Sequence, residues 1–174
     1  MDLRIPFFNR FNSLLILYYR HQHCDLLYEI YIDGSSRGNP GPSGIGVIAF
    51  KENKRIFSYR EFIGIKTNNQ AEYFALKRAL QITNFHTKSI RIKSDSILLV
   101  NQRSKKYKIR NSELKTMSME ISNLEKSFDL VEYKHIMRAE NHEADLQANS
   151  AVDDYVKYQK SKVQSGSSED SELY

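Results

Sequence analysis

The stretch YIDGSSRGNPGPSG, residues 31–44, decides how the rest of this chain of 174 residues is arranged. An alternating apolar run leads into Asp33, and four of the chain's seven glycines follow within residues 34–44. Glycine and proline punctuate regular structure, so the stretch predicts a strand that ends at Asp33 and a tight loop over residues 34–44. Because Gly34 has no side chain, other backbone can approach the carboxylate of Asp33 closely, which makes that carboxylate a candidate functional group.

Outward from this stretch, the periodicity of apolar residues predicts five strands and four helices. The order βββαβααβα predicts an α/β fold with a five-stranded mixed sheet, in which three antiparallel strands are followed by βαβ crossovers and helices cover both faces. The predicted strands cover residues 27–33, 44–50, 55–63, 89–94 and 129–136. The predicted helices cover residues 72–83, 96–102, 111–128 and 141–158, with Asn68 and Asn69 as candidate caps of the first and Asn111 or Ser112 of the third.

The composition is that of a globular protein, with 40% apolar and 27% charged residues in a chain long enough for one core. The predicted domain covers residues 27–160. Residues 1–26 are predicted as an N-terminal extension, for which an extra helix is favoured over a targeting presequence. Residues 161–174 are rich in serine and acidic side chains and predict a disordered tail.

Charge and cysteine content restrict the partners and the compartment. The net charge of +5 favours a polyanionic partner such as nucleic acid. Cys24 is the chain's single cysteine and cannot form an internal disulfide, so we expect an intracellular protein, cytoplasmic by default, with organelle targeting by residues 1–26 left open. We expect no association with a membrane, because the sequence has no run of about eighteen apolar residues.

Four carboxylates stand at the ends of different predicted elements. Asp33 and Asp95 end strands that a normal crossover makes neighbours, Glu72 is predicted in the first turn of a helix, and Asp145 lies near the start of the last helix. Each acid by itself is more often a turn residue or a helix cap. Brought together they would repel strongly without cations, and their oxygens are the ligands that Mg²⁺ prefers. The set therefore predicts a magnesium site that serves phosphoryl-transfer chemistry.

The segments YIDGSSRGNPGPSG, TNNQAEY, KSDS and RAENHEADLQAN resemble the type 1 ribonuclease H family over about residues 27–155. The resemblance implies a monomeric endonuclease that hydrolyses the RNA strand of RNA–DNA hybrids and leaves 5′-phosphate and 3′-hydroxyl ends. It also implies two Mg²⁺ ions, for which Mn²⁺ can substitute. Matched position by position, the metal-binding catalytic acids are Asp33, Glu72, Asp95 and Asp145. The positions that match contacts to the hybrid are Gly34, Ser35, Arg37, Asn39, Asn68, Asn69, Gln70, Ser96 and Asn141.

The chain departs from the common bacterial enzyme and is more similar to the archaeal and plant-type members, because it has RxENxxAD without a Gly-His-x-Gly loop. His135 matches the mobile histidine of the bacterial enzyme by count alone, and a plain strand residue remains the alternative. Arg138 is the better candidate for an accessory catalytic group near the scissile phosphate. The lysine- and tryptophan-rich protrusion is also missing. Basic residues in the corresponding connection either replace it in part or form a solvated loop; they are Arg103, Lys105, Lys106, Lys108 and Arg110.

Two other functions remain open from the sequence. One is a nucleic-acid-binding module of the same fold with weak catalysis, against which the presence of all four acids argues. The other is a transposase- or integrase-like nuclease core, which the asparagines that match RNA contacts and the lack of a DNA-binding domain disfavour. A hybrid-cleaving nuclease is the favoured function.

Overall fold

The computed structural model describes residues 27–166; residues 1–26, predicted as an extension, and residues 167–174 of the predicted tail lie outside it. The strands are β1 Tyr28–Ser36, β2 Gly41–Lys51, β3 Lys54–Lys66, β4 Ser89–Ser94 and β5 Leu130–His135. The helices are α1 Asn68–Thr83, α2 Ile97–Arg103, α3 Ser112–Glu125 and α4 His142–Gly166, with a 3₁₀ turn at Arg138–Asn141. The sheet order is β3-β2-β1-β4-β5, with β1 to β3 antiparallel and β4 and β5 parallel to β1. The predicted mixed sheet is confirmed.

The main core lies between one face of the sheet and helices α1 and α3. Ile30 and Ile32 of β1 and Val47 of β2 are fully buried and belong to one apolar cluster with Leu76 of α1 and Ile121 of α3. Each fully buried aliphatic side chain of this size contributes about 1.5–3 kcal/mol to folding. This packing holds α1 against the ends of β1 and β2, where its second turn carries Glu72.

Helix α4 covers the opposite face of the sheet and lies directly on the backbone of β2. A Cβ atom on Gly46 would come within 2.1 Å of the Ala144 carbonyl oxygen, and one on Gly44 within 2.4 Å of the Ala148 carbonyl oxygen. No side chain fits between the strand and the helix at these positions. Glycine in β2 therefore determines the depth at which the first turns of α4, which carry Asp145, sit on the sheet.

The connection between β1 and β2 is shorter than the predicted loop over residues 34–44. Strand β1 continues through Ser36, and Gly34 and Ser36 still pair with Ile45 and Ser43 of β2. The irregular segment is confined to residues 37–40. Gly34 serves the close approach of other backbone, whereas Gly38, with a φ of +110°, lies in the turn itself, and glycine content alone does not distinguish the two roles.

The start of α1 also differs from the prediction. Thr67 is the N-cap: its Oγ1 accepts from the Gln70 amide at 3.3 Å, and the Gln70 Oε1 accepts from the Thr67 amide at 2.8 Å. This reciprocal pair is a capping box. The prediction that Asn68 and Asn69 cap the helix was wrong, since both lie in its first turn. The prediction of Glu72 in the first turn was also wrong, because Glu72 lies one turn further along.

The other helix ends fall close to their predicted positions or beyond them. Asn111 caps α3, as one of the two predicted candidates, and its Oδ1 accepts from the Leu114 amide at 2.9 Å. Helix α4 runs 25 residues to Gly166, so residues 161–166 are helical where the tail was predicted. Neither α4 nor any other helix within the described residues is long and apolar enough to cross a membrane.

Candidate active site

Three carboxylates from three different elements converge where β1 and β4 end. Asp33 comes from β1, Glu72 from α1 and Asp95 from the residue after β4, and one carboxylate oxygen of each lies within 4.8 Å of the others. Tyr31 pairs in parallel with Lys93, so two residues further along each strand Asp33 comes to lie beside Asp95. Side chains at the carboxyl ends of neighbouring parallel strands commonly form a binding site in this way.

The close approach of α1 to β1 depends on Gly34. A Cβ atom at this position would lie 2.2 Å from both the Ala71 carbonyl carbon and the Glu72 nitrogen. The Gly34 amide donates a hydrogen bond to the Glu72 carboxylate. The other oxygen, Glu72 Oε2, is buried and has no hydrogen-bond partner among the described residues. A buried carboxylate oxygen without a partner is costly unless a cation binds it, so the all-oxygen donor set fits a divalent ion such as Mg²⁺.

The pKa values of the two buried acids are raised. Burial is the main cause of the rise in the pKa of Asp33 from 3.8 to about 7; the charges of Asp95 and Asp145 raise it further and that of Arg138 lowers it. Burial likewise raises the pKa of Glu72 well above its usual range, with help from the charges of Asp33 and Asp95. Near neutral pH, a bound cation is therefore needed to keep the whole cluster ionised.

Asp145 stands beside this trio on the first turns of α4 and is paired with Arg138. The Arg138 Nη2 donates to the Asp145 Oδ1 at 3.1 Å, and 80% of the Arg138 side chain is exposed. Both residues line one open cavity of about 230 Å³. The other residues that line this cavity are Asp33, Gly34, Ser35, Asn68, Glu72, Asp95 and Ser96.

Asn141 lies beneath the acids and holds one of them. Only 1% of its surface is exposed, and its Nδ2 donates to the Ile32 carbonyl oxygen and to the Asp95 Oδ1, both at 2.9 Å. The sequence matched Asn141 to a contact with the hybrid. In the structure its amide is directed to β1 and Asp95, so we interpret it as a residue that positions Asp95.

Asn149, which the sequence analysis missed, makes a similar contact one helical turn beyond Asp145. Its Oδ1 accepts from the Ser35 hydroxyl, and its Nδ2 donates to the Asp145 carbonyl oxygen, both at 2.9 Å. Asn141, Asp145 and Asn149 follow one another at intervals of four and form a single stripe that faces β1. That spacing, on a helix already predicted, is the signal that could have identified Asn149.

The remaining predicted contacts to the hybrid surround the start of α1. The Asn39 Oδ1 accepts from the Asn68 amide at 3.1 Å, which joins the β1–β2 connection to the helix. Asn68 and Asn69 are exposed. The side chain of Gln70 is engaged in the capping box and also donates to Glu113. Asn39 is exposed as well, and of the three exposed asparagines Asn68 lines the cavity.

Arg37 and His135 are among the predicted residues that lie outside the cavity lining; the others are Asn39, Asn69, Gln70 and Asn141. Arg37 is ion-paired with Asp153 of α4. His135 is exposed at the end of β5, where it pairs with Ser94 next to the acidic cluster. The structure therefore brings Arg138, but not His135, into the lining of the cavity.

The basic connection between α2 and α3 is smaller than the sequence suggested. Arg103 was included in the predicted set, but its side chain is only 6% exposed and is ion-paired with Glu125 of α3. Arg103 therefore joins helices and is not available to a polyanion. The exposed basic side chains of this connection are Lys105, Lys106, Lys108 and Arg110.

Comparisons with known proteins agree with this geometry. Residues 31–151 match the family model described as "Reverse transcriptase-like". The chain is 36% identical over 126 residues to ribonuclease HI of Halobacterium salinarum, an alignment that covers 71% of this chain and 63% of that relative. The chain thus matches less than two thirds of the length of this curated relative.

Two solved structures are similar over nearly their whole length. One is the crystal structure of RNase H1 from Halobacterium salinarum, with 35% identity and a TM-score of 0.71 over 74% of this chain and 98% of that one. The other is an RNase H1 in complex with an RNA/DNA hybrid, with 35% identity and a TM-score of 0.70 over 74% of this chain and 99% of that one.

Proposed function

This chain belongs to the type 1 ribonuclease H family, and we propose that it is an endonuclease that hydrolyses the RNA strand of RNA–DNA hybrids. The observation that carries the proposal is the cluster of Asp33, Glu72 and Asp95, whose carboxylate oxygens lie within 4.8 Å of one another in an open cavity. The Halobacterium relative is named a ribonuclease, and a similar RNase H1 was solved with an RNA/DNA hybrid, which supports the choice of substrate.

We assign two Mg²⁺ ions to the acids, with Mn²⁺ as a substitute. Asp33 would hold both ions, Glu72 and Asp95 would complete the set of one, and Asp145 would hold the other. Bound ions would supply a water of lowered pKa and neutralise the charge that develops on the phosphate. The products would carry 5′-phosphate and 3′-hydroxyl ends. Because one chain supplies all four acids, we expect a monomer to be active.

Other residues of the cavity would bind and orient the hybrid. The exposed guanidinium of Arg138 can leave Asp145 and pair with a phosphate oxygen, since its contact within the described residues is a single one at 3.1 Å. Asn68 lies at the N-terminus of α1, where backbone amides and the helix dipole favour a phosphate. We assign the accessory catalytic role to Arg138 and not to His135, because His135 does not line the cavity.

A cleavage assay tests the proposal directly. End-labelled RNA–DNA hybrid, RNA duplex and DNA duplex of one sequence are incubated with the chain in Mg²⁺, in Mn²⁺ and in a chelator. We expect cleavage within the RNA strand of the hybrid, dependent on the metal, with a 5′-phosphate on each downstream fragment. A DNA duplex cut as fast as the hybrid would refute the substrate assignment. Tight binding of the hybrid without cleavage in either metal would instead favour the nucleic-acid-binding module.

A further inference from the structure

Asn149 occupies a defined place between β1 and the metal-binding acids. It lies on α4 one turn after Asp145, and Ser35, its partner on β1, is two residues after Asp33. Ser35 also lines the cavity that the acids surround. A substitution of Asn149 would therefore affect the cavity through the hydroxyl group of Ser35.

The orientation of the Asn149 amide follows from its neighbours. One end lies 2.9 Å from the Asp145 carbonyl oxygen, which can only accept a hydrogen bond. The amide nitrogen must face that carbonyl, so the amide oxygen must face Ser35. The 2.9 Å contact between the Asn149 Oδ1 and the Ser35 Oγ is then a hydrogen bond that the serine donates.

This contact determines whether the Ser35 hydroxyl donates or accepts hydrogen bonds in the cavity. A serine hydroxyl has one hydrogen and two lone pairs, and Asn149 takes the hydrogen. What Ser35 offers a bound substrate is an acceptor. An acceptor attracts a hydroxyl that can donate and repels a phosphate oxygen or any other group that can only accept.

We propose that Asn149 is a positioning residue that makes Ser35 a hydrogen-bond acceptor, and that Ser35 selects a ribose 2′-hydroxyl as its donor. The inference rests on the proposed function, because it needs an RNA strand in the cavity. It assigns part of the discrimination between RNA and DNA to a pair of side chains that are 114 residues apart in the chain.

The test compares hybrids that differ only in whether the 2′ substituent of one ribose can donate a hydrogen bond. A single ribose is replaced by 2′-fluororibose, which cannot donate, at each position in turn around the cleavage site. Affinity is measured in an Asp33→Asn background, which prevents cleavage, and kcat/KM is measured with Asp33 intact. The variants are Ser35→Ala and Asn149→Ala, with Asn123→Ala on the outer face of α3 as the matched control.

At one position we expect the parent chain to bind ribose about fivefold tighter than 2′-fluororibose, the range of one neutral hydrogen bond. Ser35→Ala should abolish this preference, and Asn149→Ala should weaken it, because the freed hydroxyl can then also donate towards the sugar. Asn123→Ala should behave like the parent. Thermal melting shows whether each variant is folded, and Ser35→Ala alone decides the outcome if Asn149→Ala does not fold.

The inference is overturned if no position shows a preference, if Ser35→Ala keeps it, or if a folded Asn149→Ala keeps it in full. Its failure is distinct from that of the proposed function. A parent chain that cleaves hybrid while no position responds to Ser35 keeps its assigned activity and loses this inference. A chain that binds with the expected pattern but does not cleave loses the activity and keeps the inference.

Discussion

At the scale of single residues, the ionisation of Asp33 links stability to chemistry. Burial and the charges of Asp95 and Asp145 raise its pKa from 3.8 to about 7, so without a cation the ionised carboxylate is unfavourable in the folded state. A metal ion reverses this preference by pairing with the carboxylate. In the proposed metal site, the residue that destabilises the metal-free protein is the one that metal binding requires.

We predict that Asp33→Asn abolishes metal-dependent cleavage and stabilises the metal-free protein by about 1–3 kcal/mol. The amide has the shape of the carboxylate but carries no charge to repel Asp95, and it cannot replace a carboxylate as a ligand shared by two ions. Activity assays on purified protein, together with urea unfolding in a chelator, measure both effects. Cleavage at the wild-type rate would end the metal-site interpretation, and a lower free energy of unfolding would contradict the electrostatic argument.

The raised pKa of Asp33 also predicts how stability changes with pH. The folded state binds the proton more tightly than the unfolded state between pH 3.8 and about 7. The free energy of unfolding must therefore fall as pH rises through this interval, by up to about 4 kcal/mol for a shift of this size. Denaturation in a chelator at several pH values should show this fall in the wild type and a smaller one in Asp33→Asn. An equal pH dependence in the two proteins would show that Asp33 ionises normally.

At the scale of elements, the contact between β2 and α4 places Asp145. Gly46 lies directly under the turn that precedes Asp145, and a Cβ atom there would meet the Ala144 carbonyl oxygen. A local shift of either backbone would break the sheet pairing of β2 or the hydrogen bonds of the helix, so the two elements can separate only as whole units. The helix would have to lift away from the sheet and would take Asp145 with it.

We predict that Gly46→Ala destabilises the protein by about 2–3 kcal/mol and lowers cleavage more than this loss of stability explains. Gly64→Ala is the control, because Gly64 has a φ of +79° and no heavy atom of residues 27–166, apart from residues 63–65 themselves, lies within 4 Å of its Cβ position. The control should lose about 1 kcal/mol through backbone strain and keep its activity when folded. Unfolding and cleavage at saturating Mg²⁺ are measured for both. Equal specific activity of the two folded variants would contradict the role given to Gly46.

At the scale of the whole molecule, charge is distributed unevenly over a protein of net charge +5. Lys105, Lys106 and Lys108 are exposed in the connection that follows α2, and α2 begins directly after Asp95 and Ser96. Lysines that bind phosphates displace condensed counterions, so each contact adds to the dependence of affinity on salt. We expect these side chains to extend the proposed binding surface beyond the cavity.

We predict that changing all three lysines to alanine raises KM, leaves kcat nearly unchanged and reduces the slope of log K against log salt by about two to three units. The control changes Lys54, Lys88 and Lys126 to alanine. These lysines are exposed at the ends of the strands that lie away from Asp33 and Asp95. That variant has the same net charge and should keep the wild-type slope. If both triple variants lose the same slope, the effect comes from net charge alone and the connection is a solvated loop.

The sequence by itself determined the element order, the mixed sheet and the positions of the four acids. The periodicity of apolar residues indicates whether a segment is a helix or a strand and which of its faces is buried. Both depend on residues that are close together in the sequence. The same locality explains the errors. The glycines of residues 34–44 predicted a loop, although Gly34 continues a strand and serves an approach by α1 from 37 residues away in the chain.

Only the tertiary structure decided which side chains meet. Sequence matching gave Asn141 to a contact with the hybrid and left Arg103 open between a polyanion contact and a solvated loop, whereas the fold directs Asn141 to Asp95 and buries Arg103 against Glu125. The local sequence assigns no role to Asn149. It contacts Ser35 only because α4 packs against β1. A hydrogen bond depends on the distance and direction between two groups, and for groups more than a hundred residues apart those are determined by how helices pack on the sheet. The chemistry of each residue can be read along the chain, but its partner is determined by packing.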